Sequence, residues 1–245
     1  MNDLMTKTLA QIVSDDHRAA SIFEKYQLDF CCKGKRSLQQ ACSEKDLPVQ
    51  EVIDQLSMTI LPGSSKVTID YNRLSLTQLA EYIVYTHHDY VKKEMPQLLS
   101  YLQKVASKHG VRHPEMLKVF DLFTALAEEM TEHMKKEELV LFPRIKEIEK
   151  QSLAGQDNKF NITYLKSPVI VMEQEHDYAG RLLEEIRKLT NDYQAPPDAC
   201  TTYKLSFAAL KAFELDFHHH VHLENNILFP KALQLFDSRN HCSLS

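Results

Sequence analysis

The chain has 245 residues, 43% of them hydrophobic, and a formal net charge of −5. This is apolar material for one large domain or for a medium and a small one, and the acidic balance without a basic run argues against a nucleic-acid partner. No apolar run approaches the ~20 residues that cross a bilayer, Asn2-Asp3-Leu4-Met5-Thr6-Lys7 lacks the layout of a secretory signal, and five cysteines, two of them adjacent, read as reduced thiols in a cytoplasm rather than a secreted disulfide framework.

Residues 1–60 carry short helical patterns, over roughly 4–13, 16–26, 37–43 and 48–58, and form a small helical domain. Asp15 or Asp16 is placed to cap the second helix. Ser37 and Gln40 have capping-box spacing, and Pro48 suits a first helical turn. Leu61-Pro62-Gly63-Ser64-Ser65-Lys66 marks a linker over 61–70.

Four long helices follow, over 71–236. Ser75 and Gln78 form a second capping box, opening a helix that runs to about Lys108, with Gly110 to stop it. Pro96 is expected to kink it. Pro114 starts the second helix, which ends near Lys150, and Pro143 bends its last part. Residues 151–166 read as a loop, and Ser167-Pro168 as a cap plus first-turn proline opening the third helix. Ala195-Pro196-Pro197-Asp198 breaks the chain, and Thr201 or Thr202 opens the fourth. Residues 237–245 are expected to fray.

The chemistry lies on these helices. His133 precedes Glu137 by four positions, and His220 precedes Glu224 by four; Leu-Phe-Pro follows each, at Leu141-Phe142-Pro143 and Leu228-Phe229-Pro230. Spacing of four puts imidazole and carboxylate on one helix face. His88-Asp89-Tyr90 is echoed by His176-Asp177-Tyr178. The two HDY elements are 88 apart and the two HxxxE elements 87 apart, so the region reads as a tandem repeat of a two-helix unit. Two such units pack as a four-helix bundle whose ligand set is His88, His133, Glu137, His176, His220 and Glu224. Apolar neighbours surround them, and buried His and Glu need partners. A binuclear metal centre supplies those partners. Imidazole and carboxylate without thiolate suit iron or manganese, whereas zinc alone prefers four ligands. Two carboxylates can bridge, leaving positions open for oxo, hydroxo or a small diatomic ligand.

Several neighbours compete for these roles. His87 points about 100° away from His88. His218, His219 and His222 do not stand four before Glu224, and read as solvent-facing or as supports behind the ligands. Glu138, one off the matched position, reads as exposed. Glu129 and Glu175 are placed to hydrogen-bond a ligand or relay a proton, and a solvated helix surface accounts for each equally well. Asp89 and Asp177 either orient imidazoles or face solvent.

Cys31-Cys32, with Lys33, Lys35 and Arg36 beside it, is an electropositive setting expected to lower a thiol pKa. Adjacent cysteines make a poor structural disulfide and suit redox chemistry, nitrosothiol formation or soft-metal binding. One core cysteine beside an incidental one is the plain alternative. Cys42 is a third thiol or a small core residue.

These residues resemble the RIC ("repair of iron centres") family of di-iron proteins along the full chain. The stretch DFCCKGKRSLQQAC looks like that family's N-terminal domain. HMKKEELVLFP, MEQEHDYAGRLL and HVHLENNILFP look like its hemerythrin-like domain. By resemblance the ligands fall on the same six residues, and the family's adjacent thiols fall on Cys31 and Cys32. The resemblance implies an all-α, hemerythrin-like four-helix bundle holding two carboxylate-bridged irons, oxo- or hydroxo-bridged, in a cytoplasmic stress protein. Its partners are then iron-sulfur proteins damaged by nitric oxide or oxidants, together with NO or O2-derived small molecules, with neither nucleic acid nor membrane; a homodimer stays open. The di-iron pair is expected to bind NO or supply labile iron, and a thiol of Cys31 or Cys32 to accept the nitrosyl group or pass iron on. Compared with hemerythrins the chain offers fewer histidines, against simple oxygen carriage. A di-iron NO or peroxide reductase, or an O2/NO sensor, is the alternative.

Overall fold

The computed structural model describes residues 2–60, 69–156, 160–161 and 163–240. Among these residues there is no β-strand, only an isolated antiparallel bridge between Thr8 and Ser37. The N-terminal lobe contains α1 (Asn2–Thr6), α2 (Leu9–Asp15), α3 (Ala19–Lys25), α4 (Leu38–Ser43) and α5 (Val49–Ile60). The helix expected over 4–13 is broken in two. Thr8 forms a reciprocal capping box with Gln11, and Ser37 forms another with Gln40. The backbone next to these caps pairs, Leu9 N–H to Arg36 and Leu38 N–H to Lys7, both at 3.0 Å. A capped start at Leu9 thus serves more backbone groups than one continuous helix. Asp16 accepts the Arg18 N–H and its guanidinium just ahead of α3.

The bundle begins after Tyr71–Arg73, a 3-10 turn, with α6 (Leu76–Ile83), opened by the Ser75–Gln78 capping box. There follow α7 (Asp89–His109), α8 (Glu115–Lys136), α9 (Phe142–Leu153), α10 (Thr163–Leu189), α11 (Thr201–Leu223) and α12 (Phe229–Asn240). Three π-helical segments join α6 to α7, α8 to α9 and α11 to α12: Val84–His88, Glu137–Leu141 and Glu224–Leu228. Pro96, the expected site of a kink, sits inside continuous α7, and the α-ladder is interrupted before it, at Val84–His88. In the second and third π segments the N–H of Phe142 reaches Glu137 and that of Phe229 reaches Glu224, five residues back. Pro143 and Pro230 come next, have no N–H, and cannot resume the α-ladder at once. The Leu-Phe-Pro motif thus places one extra residue directly after each glutamate.

The third long helix opens at Thr163, earlier than Pro168, and carries Pro168 inside it. A proline frees the carbonyl four residues back. That carbonyl, of Tyr164, accepts a 2.7 Å bond from the Arg144 guanidinium, and Arg144 also covers the Tyr164 ring. The 61–70 linker lies largely outside the described residues. So do positions 241–245 of the tail, and α12 continues past Phe236 to Asn240.

Two apolar clusters fill the molecule. One runs from the N-terminal lobe through α7, α8, α10 and α11, from Leu9 and Phe23 to Phe217 and Val221. The other packs α6, α9 and α12 around Ile83, Phe142, Ile145 and Phe229. The polar centre lies between them.

Glu149 of α9 accepts the N–H groups of Leu76 and Thr77 at 2.7 and 2.9 Å, capping α6 from another helix. Burial pushes its carboxyl up, but the Thr77 side chain, the N–H groups of Thr77 and Leu76 and the charge of Lys231 draw it down further, so the net shift is below its ordinary 4.5. A depressed folded pKa stabilises above the unfolded value and loses that contribution as pH falls. Glu149→Gln is therefore expected to lower stability by about 1 kcal/mol at pH 7. Urea unfolding at pH 7 and again well below 4.5 checks this: the gap between variant and parent should close on acidification.

Candidate metal centre

Six side chains converge where the two clusters meet. His88, Glu137, His220 and Glu224 form one group and His133, Glu137, His176 and Glu224 a second, the potential ligand atoms of each lying within 4.8 Å of one another. Both groups contain the same two carboxylates. Glu137 Oε2 lies 3.3 Å from His88 Nε2 and 3.4 Å from His133 Nε2. Glu224 reaches His220 Nε2 through Oε1 at 3.0 Å and His176 Nε2 through Oε2 at 3.1 Å. All six are at most 1% exposed.

The reverse side of the imidazoles explains which nitrogen faces inward. His88 gives its Nδ1–H to Glu138 at 2.8 Å, His133 to Glu175 at 2.8 Å, and His176 to Asn225 at 2.9 Å. Lys92 backs Glu138, and Lys136 backs Glu175. An imidazole that donates from Nδ1 presents a lone pair at Nε2. Yet His133 Nε2 and His176 Nε2 stand 2.9 Å apart. Among the described residues, both oxygens of Glu137, Oε2 of Glu224 and Nε2 of His88 have no hydrogen-bond partner. Buried lone pairs turned toward one another are unfavourable unless a cation lies among them. The donor set fits metal ions that take imidazole and carboxylate, and the structure thus supports a metal site here.

The chain was compared with known proteins. Residues 80–232 match the family model "Hemerythrin HHE cation binding domain", and residues 5–59 match ScdA_N, a "Domain of Unknown function (DUF542)". Proteins called "Iron-sulfur cluster repair protein YtfE" from Escherichia coli O8 (strain IAI1), Escherichia coli O17:K52:H18 and Shigella boydii serotype 18 are each 34% identical over 225 residues, covering 92% of this chain and 96% of theirs. The chain belongs to the YtfE-like iron-sulfur cluster repair family. Its bundle is of the hemerythrin type, all-α as the sequence reading has it.

Within this family member the pseudo-twofold repeat extends beyond the six residues. Glu138 and Asn225 follow the two glutamates and each holds the imidazole of an HDY element. Glu138, read from sequence as exposed, is half-buried for that reason. Phe142 stacks on His88 at 5.8 Å and Phe229 on His176 at 6.3 Å, so each Leu-Phe-Pro motif walls one histidine. Glu175 has His87 as its repeat mate. His87 is buried, stacks in parallel on His220 at 5.5 Å and pairs through Nδ1 with Asp216 at 2.8 Å. Among the described residues Glu129 makes no hydrogen bond to a ligand imidazole; its charge adds to that of Glu175 in favouring protonated Lys136. Asp89 and Asp177 are exposed, so orientation of the imidazoles falls to Glu138 and Asn225.

The electrostatics are those of a cage built for cations. Burial lowers His133, but Glu137, Glu175 and Glu224 outweigh it and raise it to about 10. The His133 contact, helped by Lys136, draws Glu175 down to about 2 against burial. Burial opposes the charge on Glu224, yet His220 and His176 hold it well below the usual range. Without a metal, the carboxylates favour a proton on His133 and on His88, which metal binding must displace.

His218, His219 and His222 are not solvent-facing. His218 Nδ1 meets Glu24 of α3 at 2.6 Å, and His222 Nε2 lies 3.5 Å from Ser14 Oγ, with Phe30 edge-on to both rings. Spaced four apart, they dock the N-terminal lobe, whereas His219 packs against Tyr71 and His87. Asn226 donates to the carbonyls of Phe30 and Cys31 at 3.2 and 3.1 Å, tying the cysteine loop to the π segment.

Cys31 and Cys32 are free thiols 3.8 Å apart. The expected lowering of thiol pKa does not hold for Cys31. Its hydrogen bond with Cys32, burial, and Asp29 together hold it well above its ordinary value. Two of the cations next to it in sequence have acidic partners: Lys35 pairs with Glu173, and Arg36 with Glu44. A 210 Å³ cavity is lined by Cys31, Cys32, Asp177, Asn225 and Asn226 among others. It brings the thiols to Asn225, the partner of His176. Cys42 is buried in the N-terminal core.

Proposed function

We propose that the chain repairs iron-sulfur clusters damaged by nitrosative or oxidative stress, using two iron ions and the thiols of Cys31 and Cys32. His88 and His220 would hold one ion and His133 and His176 the other, with Glu137 and Glu224 common to both groups. The observation that carries this reading is that sharing: two carboxylates common to two histidine pairs. Iron so held supplies binding of NO or oxidants, electron transfer to them, and a store of transferable metal. The protein's own groups do the rest. Glu138, Glu175 and Asn225 fix the imidazoles in the Nε2-facing tautomer, and Lys92 and Lys136 keep the two glutamates charged. Phe142 and Phe229 exclude water from one wall. Cys31 and Cys32 line a cavity that reaches Asn225, the partner of His176, and would be placed to take up iron released from the centre. Damaged iron-sulfur proteins are the partners, and NO or O2-derived molecules the small ligands. No described helix is long and apolar enough to cross a membrane, and the free thiols suit a reducing cytoplasm.

The test is repair of a nitrosylated iron-sulfur protein in a defined mixture. Cys31→Ala and Cys32→Ala are expected to abolish repair while the metal held by the histidines and glutamates stays at the parent level. Loss of that metal in either variant contradicts this division of labour. Turnover of NO or peroxide at full rate without any cluster protein, and no repair with one, would favour the reductase instead.

A further inference from the structure

The cysteine loop has a geometry that nitrosyl acceptance alone does not require. Asp29 Oδ1 accepts the N–H groups of Cys31, Cys32 and Lys33 at 3.2, 2.9 and 3.2 Å. This fixes the backbone so that both sulfurs turn to the same side, 3.8 Å apart, with Cys31 Sγ 3.4 Å from Asp29 Oδ1. Ligand atoms of Asp29, Cys31 and Cys32 all lie within 4.8 Å of one another. A tetrahedral ion with metal–sulfur bonds of about 2.3 Å needs an S···S edge of about 3.8 Å. The pair already stands at that separation without a disulfide.

Space and charge agree with this. The thiols border the 210 Å³ cavity on one side and a 460 Å³ cavity between α3, α10 and α11 on the other. Gly180 of α10 leaves room over Cys32; even an added Cβ would stand 3.8 Å from its sulfur. Lys35 lines the smaller cavity and pairs with Glu173 at 3.7 Å, and Arg36 pairs with Glu44. The same neighbours that oppose a thiolate at Cys31, namely Cys32 and Asp29, favour a cation placed among them.

We propose that Asp29, Cys31 and Cys32 form a third metal site, for one thiophilic divalent cation, with its remaining position open to the 210 Å³ cavity. Uptake exchanges two thiol protons for the cation and involves no change of oxidation state, so affinity rises with pH. The site itself stands on the loop geometry. That its ion is ferrous iron, in transit between the buried pair and a client protein, rests on the proposed function.

Cobalt(II) tests it, added without air to the reduced full-length chain. Thiolate coordination gives intense near-ultraviolet charge-transfer absorption that imidazole and carboxylate ligands do not. One cysteine-dependent cobalt per chain is expected. Cys31→Ser and Cys32→Ser should each remove the band and weaken this binding by more than about 100-fold, beyond the usual effect of a residue behind the ligands, with helicity and the other cobalt bands unchanged. A parent without the band, or a band that survives in the double serine variant, overturns the proposal. The Glu137→Ala/Glu224→Ala double variant separates the two readings. A retained thiolate band there supports the third site independently of the buried centre. If the parent chain shows the thiolate band but binds nothing at the histidines, the proposed function fails and the third site stands.

Discussion

Glu224→Ala is expected to empty both metal positions, whereas His220→Ala empties one. The reason is connectivity. Glu224 belongs to both ligand groups and His220 to one. Changes behind the ligands commonly reduce metal affinity 10–100-fold; loss of a carboxylate common to both ions must exceed this. The metal-free fold responds differently. Glu224 is fully buried, and burial and Glu224 together push the Glu137 carboxyl up before His133 and His88 draw it down. Removing Glu224 relieves that repulsion and takes a desolvated charge out of the core. It leaves His220, whose pKa burial already lowers, as a neutral group. The variant should therefore stay folded, with metal-free stability near that of the parent, while it retains no metal after desalting over a chelator. Elemental analysis and circular dichroism on one sample read both. Retention of one ion at the histidines by Glu224→Ala contradicts the shared-carboxylate arrangement.

The largest expected loss of stability is at Arg187→Ala. Arg187 of α10 donates through Nε to both oxygens of Glu214, at 3.1 and 2.9 Å, and through Nη2 at 2.8 Å. It also lies 3.8 Å from Glu24 of the N-terminal lobe, and Tyr193 donates its hydroxyl to Glu214 at 2.8 Å. Glu214 is 3% exposed. Removing one partner of a buried pair leaves an uncompensated charge, which typically destabilises by about 3–5 kcal/mol. For a chain of this size that lowers Tm by roughly 6–20 °C. The lobe should loosen as well, since Glu24 then keeps His218 alone. Replacing both partners by apolar groups, Arg187→Met with Glu214→Leu, should recover most of the loss. Thermal unfolding of the single and double variants checks this; a single-variant loss below about 1 kcal/mol would show the network to be solvated.

The parts of the fold and site that lie in local spacing were legible in the sequence. His133 with Glu137 and His220 with Glu224 share a helix face at spacing four, and the capping boxes at Ser37 and Ser75 occur where their side chains predict. The six residues read as ligands are brought together. What sequence reasoning missed depends on neighbours from other helices. Glu138 looks exposed on its own helix, but its partner His88 comes from the preceding one. Extending the repeat by one residue, to Glu138 and Asn225, would have found both supports. The π segments are invisible to a 3.6-residue period, although a proline six residues after each histidine-linked glutamate marks two of them. Cys31 misled because Lys33, Lys35 and Arg36 are close in sequence while Asp29 and Cys32 are close in space. His218 and His222 carried a legible signal, spacing of four, whose target lies some two hundred residues away.

The most direct test of the central claim is metal content with an optical spectrum, on protein prepared with and without air and desalted over a chelator. The structure's two histidine pairs on shared carboxylates predict about two irons per chain, with iron charge-transfer absorption that disappears in Glu224→Ala. A single zinc, or no metal in a chain of intact helicity, would mean that the six buried ligands do not act together, and iron-based repair would lose its chemical basis.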